Sequence, residues 1–258
     1  MNELSLFTGA GGGLLGTKLL GWKAIGYVEK ETYCQKVIRQ RIADGILDAA
    51  PIFGDIRKFI SEGYAASYTG MVDVITGGFP CQDISCAGTG KGIEGERSGL
   101  WDEMSTIIRI VRPEYVFVEN SPMLTIRGLG TVLRDLAKMG FNARWGVLGA
   151  KDVGGIINRE RLWIVASTSK KHGRRLYRWS DKKSRNMGNN FAPRSFLNRF
   201  MEELEGKGEQ REQQRESDLP PYLCKLGDGM AFELDELKAI GNGQVPRVVA
   251  AAWRILTA

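Results

Sequence analysis

A chain of 258 residues, 43% hydrophobic and 26% charged, is long enough for one large globular domain, or for one plus a small appendage. No apolar run approaches the roughly 18 residues of a membrane span, and the N-terminus lacks the basic-then-apolar order of a secretory signal. A cytoplasmic protein without a membrane partner is therefore expected. A single histidine, His172, and four cysteines (Cys34, Cys81, Cys86, Cys224) without C-x-x-C spacing argue against a zinc site or a disulfide framework, so no metal is expected.

In chain order, Leu4-Ser5-Leu6-Phe7 is a short apolar run that leads into Thr8-Gly9-Ala10-Gly11-Gly12-Gly13. Leu14, Leu15, Leu19 and Leu20 then follow helical spacing to a stop at Gly21. Strand, glycine loop and helix form the unit that lets backbone amides meet a ligand at a helix N-terminus. The spacing is not G-x-G-x-x-G, so a dinucleotide is only weakly indicated. Glu29 ends the next apolar run, Ala24–Val28, about 20 residues after the loop, where such folds place an acid on ribose hydroxyls. Asp55-Ile56 follows a third run, Pro51–Gly54, and offers one polar and one apolar group to bracket an adenine. Together these three features suit an adenosine-bearing cofactor.

Met71-Val72-Asp73-Val74-Ile75-Thr76 reads as a buried strand that ends in Gly77-Gly78-Phe79-Pro80-Cys81-Gln82. Pro80 fixes its own φ and stiffens the turn, so Cys81 is presented at the carboxyl edge of a sheet, where ligands of open α/β folds bind. Taken alone, such a cysteine is a small buried hydrophobe. A second strand, Tyr115–Val118, ends in Glu119-Asn120-Ser121-Pro122, and a thiol and a carboxyl at two strand ends read together as an active site.

Gly88-Thr89-Gly90-Lys91 is no phosphate-binding P-loop, because Gly92 stands where Ser or Thr is needed and Ser85 where the first glycine belongs. The polar, glycine-rich stretch 85–99 reads instead as a lid. Leu100, Trp101, Met104, Ile107, Ile108 and Val111 form an apolar helical stripe before Pro113, and Leu129, Val132, Leu133 and Leu136 form another that stops at Gly140. Strand-like runs follow at 145–148 and 162–166. The alternation predicts an α/β domain over 1–166 with a largely parallel, doubly wound sheet.

From residue 167 to about 232 the periodicity is lost, and this region is too small to be secure as an independent fold. The net charge of +6 is concentrated here: Lys170, Lys171, Arg174, Arg175, Arg178, Lys182, Lys183 and Arg185 interleave with Tyr177 and Trp179, a pattern suited to a polyanion. Residues 233–258 carry Gly241-Asn242-Gly243-Gln244-Val245-Pro246 and then an apolar helix, and this segment is expected to rejoin the first domain.

These pieces, in this order, resemble the cytosine-5 DNA methyltransferase family. The resemblance rests on Phe7-Thr8-Gly9-Ala10-Gly11-Gly12, Phe79-Pro80-Cys81-Gln82, Glu119-Asn120, Arg159-Glu160-Arg161 and Gly241-Asn242. It covers nearly all of 4–166 and 226–258. Departures are Ser5-Leu6-Phe7-Thr8, where Asp-Leu-Phe-Ser or -Ala is common, Ser121 in place of a usual valine, and Asn158 where Gln-x-Arg-x-Arg would start. None removes a reacting group.

The resemblance implies a Rossmann-like methyltransferase sheet with helices on both faces, and a small irregular recognition region at 167–232. It also implies S-adenosylmethionine as donor, S-adenosylhomocysteine as product, and double-stranded DNA as the partner of a monomer. By the same resemblance Cys81 is the nucleophile, Glu119 the proton donor, and Arg159 and Arg161 the cationic surroundings, with Arg161 near the cytosine O2. Phe7, Gly9, Gly11, Glu29, Asp55, Ile56, Pro80, Leu100 and Asn242 would line the cofactor pocket. Ser85, Arg97, Arg174, Arg175 and Arg178 would contact DNA. The short recognition region implies a short or relaxed target sequence. Two other readings stay open at this point: a tRNA cytosine-5 methyltransferase, and an inactive DNA-binding regulator on the same scaffold.

Overall fold

The computed structural model describes residues 1–80, 99–155, 157–168 and 243–257. The positions of Cys81, Ser85, Arg97, Arg174, Arg175, Arg178 and Asn242, the lid and nearly all of 167–232 lie outside the described residues.

The first half alternates as its sequence predicts. β1 (Asn2–Leu6) leads to α1 (Gly12–Leu19), β2 (Lys23–Val28) to α2 (Thr32–Ala43), and β3 (Ile52–Phe53) to the short α3 (Ile56–Ser61) and α4 (Tyr64–Ser67). β4 (Val74–Gly77) is followed, among the described residues, by α5 (Gly99–Val111) and β5 (Tyr115–Asn120). Then come α6 (Leu124–Arg127), α7 (Leu129–Lys138), β6 (Asn142–Gly149), a 3-10 turn (Ala150–Val153), β7 (Glu160–Ser167) and α8 (Pro246–Thr257). The strand expected from Met71 begins only at Val74; Met71 is itself 55% exposed in the turn before it. Phe7 leaves the first strand with φ 51, in the left-handed region, and opens the glycine loop.

The seven strands form one sheet in the order β3-β2-β1-β4-β5-β7-β6. β1 to β5 are mutually parallel where they pair, and β7 is antiparallel to both β5 and β6. Six strands therefore run in one direction, as expected of a largely parallel sheet, and β7 alone is reversed. The link from Gly149 to Glu160 is too short for a helical crossover, which takes a dozen or more residues, so β6 and β7 form a hairpin-like pair. This reversal puts the N-terminal end of β7 at the carboxyl ends of β4 and β5. A parallel β7 would carry Arg159 and Arg161 to the opposite edge.

Side chains alternate across the sheet and both faces are covered. Leu4, Leu6, Ile75, Val116, Val118, Leu162 and Ile164 pack with Trp101, Met104, Ile107 and Ile108 of α5 and with α7. On the other face Phe117, Trp163 and Val165 meet Val248, Val249, Ala252 and Trp253 of α8. Trp253 sets its ring edge against Trp22 and Phe117, with centroids 4.6 and 5.5 Å away. α8 also crosses α1 at Gly16, where a Cβ would stand 2.5 Å from that of Val249. Polar groups share this second face: Glu3 and Ser5 of β1, Thr76 of β4, and Glu119 at the end of β5.

Candidate active site

The described parts of the site lie at the carboxyl edge of the sheet, on the ends of β1, β2, β3, β4 and β5. The loop after β1 turns through three left-handed residues, Phe7, Gly9 and Gly11, with φ 51, 58 and 87. A left-handed non-glycine residue costs about 1–3 kcal/mol, and the Phe7 ring, packed against the core, holds it there. The Thr8 hydroxyl lies 3.2 and 3.3 Å from the Ser5 and Val28 carbonyls, fixing the loop to β1 and β2. Arg41 of α2 donates to the Ala10 carbonyl at 2.7 Å. Gly9 has open space on its Cβ side.

Glu29, at the end of β2, is 7% exposed, and its two carboxylate oxygens accept from the Gly9 amide at 2.6 Å and the Glu31 amide at 2.8 Å. Burial pushes this carboxyl up, and the Glu31 and Gly9 amides oppose the rise. Asp55, after β3, caps α3 by accepting from the Arg57 amide at 2.9 Å and pairs with Lys30 at 3.3 Å. Those donors hold it below the usual carboxylate range. Ile56 is 5% exposed in the core, and Leu100 at the start of α5 is half-buried against it. A left-handed glycine cradle with one anchored carboxylate and a second acid at the next strand end fits an adenosine-bearing group. Among the described residues no cluster of three or more His, Cys, Asp or Glu suits a metal.

The turn after β4 is pinned from two sides. Asn120 Nδ2 donates to the Phe79 carbonyl at 3.1 Å, and the Phe79 ring tilts against Trp101 with centroids 5.5 Å apart. Asn120 is 3% exposed, so this contact is shielded from water. Gly78 allows the turn to approach β5, because a Cβ there would stand 2.7 Å from Glu119 Oε2. Pro80 is exposed at the end of the described turn, and Cys81 is the next residue.

Glu119 has a side chain only 12% exposed. The β5–β7 register sets it opposite Trp163, so Arg161, two residues away on the same face, is its diagonal neighbour. Arg161 Nε lies 2.8 Å from Glu119 Oε1, and Gln244 Nε2 donates to Oε2 at 3.2 Å. Burial raises the Glu119 pKa, while Arg161, Gln244 and Arg159 act against the rise. Arg159 donates to the Gly243 carbonyl at 2.5 Å, tying the start of β7 to the segment before α8. Burial first, and then the charge of Arg161, pulls Arg159 below its ordinary value.

The structure thus brings Phe7, Gly9, Gly11, Glu29 and Asp55 to one half of the edge, and Pro80, Glu119, Arg159 and Arg161 to the other. Arg161 rests on the carboxyl of Glu119, and Arg159 braces a backbone carbonyl. Three contributors carried no assigned role from sequence: Gln244, Asn120 and Arg41. Asn120 follows Glu119 directly and had a motif to announce it. Gln244 lies within the Gly241–Pro246 stretch, which gave it no role of its own, and nothing in the chain marked Arg41.

The sheet order with one reversed strand, and a site at its carboxyl edge, are those of methyltransferase folds. The S. pombe Dnmt2 methyltransferase superposes with a TM-score of 0.51 at 19% identity, over 65% of this chain and 49% of that one. The Entamoeba histolytica methyltransferase EhMeth superposes with a TM-score of 0.51 at 16% identity, over 66% of this chain and 53% of that one. The chain belongs to the C-5 cytosine-specific DNA methylase family, whose family model matches residues 1–222. It is 30% identical over 167 residues to the type II methyltransferase M.CviJI of Paramecium bursaria Chlorella virus IL3A, covering 63% of this chain and 42% of that protein. It is 31% identical over 173 residues to M.HaeII of Haemophilus aegyptius, covering 66% and 51%. The matched part spans about half the length of these relatives. Among the described residues no helix is long and apolar enough to cross a membrane.

Proposed function

We propose that the chain is a DNA (cytosine-5)-methyltransferase, transferring a methyl group from S-adenosylmethionine to a flipped cytosine in duplex DNA. The observation that carries the reading is the buried Glu119, held by Arg161 and set beside the Gly78-Phe79-Pro80 turn that leads directly to Cys81. The family and the names of the relatives support the same chemistry.

When bound, the donor supplies an electrophilic methyl group on a sulfonium sulfur. The chain's residues do the rest. The glycine loop and Glu29 hold the nucleoside end, with Asp55 beside it; Ile56 supports that region from within the core. Leu100 and Asn242 close the pocket. Carbon 5 of cytosine is a poor nucleophile, and addition of the Cys81 thiolate to carbon 6 makes the ring enamine-like. A free thiol is only a few per cent ionised at pH 7, so Arg159 and Arg161 favour its thiolate. Negative charge then develops at ring N3, and Glu119, whose hold on a proton burial strengthens, donates a proton there. After transfer, a base or water removes the carbon 5 proton and the thiolate leaves. A stacked base reaches none of these groups, so the cytosine is extruded from the duplex. Residues 1–166 and 233–258 form the catalytic domain in this reading, and 167–232 the recognition region. Ser85 and Arg97 of the lid, with Arg174, Arg175 and Arg178, contact the DNA.

The test is incubation of the full chain with methyl-labelled donor and either duplex DNA or tRNA. Label as 5-methylcytosine in DNA is expected; label in tRNA alone would overturn the DNA reading.

A further inference from the structure

Glu119 has a second partner that its ion pair with Arg161 does not explain. Gln244 lies just ahead of α8 and threads between glycines of two different loops. Its main-chain carbonyl occupies the place a Cβ on Gly12 would need, its side-chain oxygen lies 2.5 Å from the Cβ position of Gly13, and its side-chain nitrogen lies 3.4 Å from that of Gly78. The absent side chains of Gly12 and Gly13 thus make room for one glutamine, whose amide reaches Glu119 Oε2 at 3.2 Å. The carbonyl before it, that of Gly243, is held by Arg159. The amide is therefore fixed at its base and turns only at its tip.

The chemistry of the two partners differs. Arg161 carries donors only, and it suits Glu119 as a carboxylate. An acid that gives up a proton also needs a partner for the form that holds it. A carboxamide serves both forms: its NH2 donates to an ionised oxygen, and after a half-turn of its last torsion its carbonyl accepts from the acid O–H.

We propose that Gln244 is a positioning residue for Glu119, its NH2 donating to Oε2 when the carboxyl is ionised, the arrangement seen here, and its carbonyl accepting from the Oε2–H when the acid holds the proton it will give to the base. This rests on the methyl-transfer reading above for its role in turnover. In the step itself the Oε2–H bond breaks, a bond from hydrogen to ring N3 forms, and the electron pair left on Oε2 is met by the turned amide. The groups facing Glu119 are Arg161 and Arg159 from the β7 side, Gln244 ahead of α8, and the Gly78 backbone; among the described residues the two arginines are its charged neighbours.

The test is a 13C-detected titration of the Glu119 carboxyl in the full chain and in two variants. Gln244→Met keeps the length without the donor, and Gln244→Asn retracts the amide by one methylene. A hydrogen bond to an ionised oxygen is stronger than one to a neutral acid, so losing both contacts costs the carboxylate more and raises the midpoint by about one pH unit in Gln244→Met, and by less in Gln244→Asn. With DNA and methyl donor, kcat in Gln244→Met falls about tenfold while KM for the donor stays within about threefold. A residue that merely packs the loops would lower melting temperature or donor affinity and leave the midpoint in place. An unmoved midpoint in both folded variants overturns the proposal. A raised midpoint in a chain that methylates no DNA upholds the contact and its control of Glu119, and it is the transfer reading that then falls.

Discussion

Replacing Glu3 by glutamine is expected to stabilise the protein at neutral and alkaline pH and to leave it nearly unchanged in acid. Glu3 sits in β1 with 2% of its surface exposed, and its carboxyl accepts from the hydroxyls of Thr17 on α1 at 2.5 Å and Thr76 on β4 at 2.6 Å. Burial is the largest influence on it, pushing its pKa from 4.5 to about 7; the two hydroxyls act against the rise and Asp48 adds to it. At about 1.4 kcal/mol per pKa unit, that difference corresponds to roughly 3 kcal/mol. Because the folded state binds the proton more tightly than the unfolded chain, the stability this group contributes is fully present below pH 4.5. It is lost as pH rises to about 7 and stays level above. Glutamine never ionises, so the variant escapes the loss. Urea unfolding of both proteins from pH 4 to 8 measures the difference, and groups common to the two cancel. The stability gap should widen by roughly 3 kcal/mol across that window, in favour of the variant. A gap independent of pH would refute the argument that a desolvated carboxyl lies inside the sheet.

Other perturbations separate the site from its scaffold. Arg161→Ala removes the cation at 2.8 Å from a buried carboxyl, and should cost roughly 2 kcal/mol in denaturant unfolding while raising the Glu119 titration midpoint. Gly16→Ala places a Cβ 2.5 Å from Val249 Cβ and 2.7 Å from the Pro246 carbonyl; the separation of α8 from α1 should cost about 1–3 kcal/mol in the same assay, despite alanine's better helix propensity. Neutralising Arg174, Arg175 and Arg178 together should weaken DNA binding and reduce its dependence on salt by roughly two to three in log–log slope. An unchanged slope would make that segment solubilising surface only.

Signals that are local in the chain were legible from it. The stops of α5 before Pro113 and of α7 before Gly140, and the placing of Glu29, Asp55 and Glu119 at strand ends, all follow from spacing and from glycine or proline. The direction of β7 was not legible. An apolar run reads the same whether it pairs parallel or antiparallel, and only the short link after β6 hints at reversal. The partner of Glu119 was hidden for the same reason, since Arg161 reaches it through that reversed register. Gln244 was hidden more deeply, because its contact depends on how α8 seats against two glycine loops. Nothing in the sequence marked Glu3, which precedes the apolar run Leu4–Phe7; its burial comes from α1 covering that face.

The central claim is that the sulfur of Cys81 bonds to carbon 6 of a cytosine while the methyl group is delivered to carbon 5. Duplex DNA carrying 5-fluorocytosine tests it directly, because the fluorine at carbon 5 cannot leave as a proton does and the adduct persists. Incubation with this DNA and S-adenosylmethionine, followed by a denaturing gel and peptide mapping, should give a stable protein–DNA complex linked at Cys81 and absent in Cys81→Ala. Methylation of ordinary cytosine-containing DNA by Cys81→Ala at the parent rate, or a complex linked through another residue, would contradict the account.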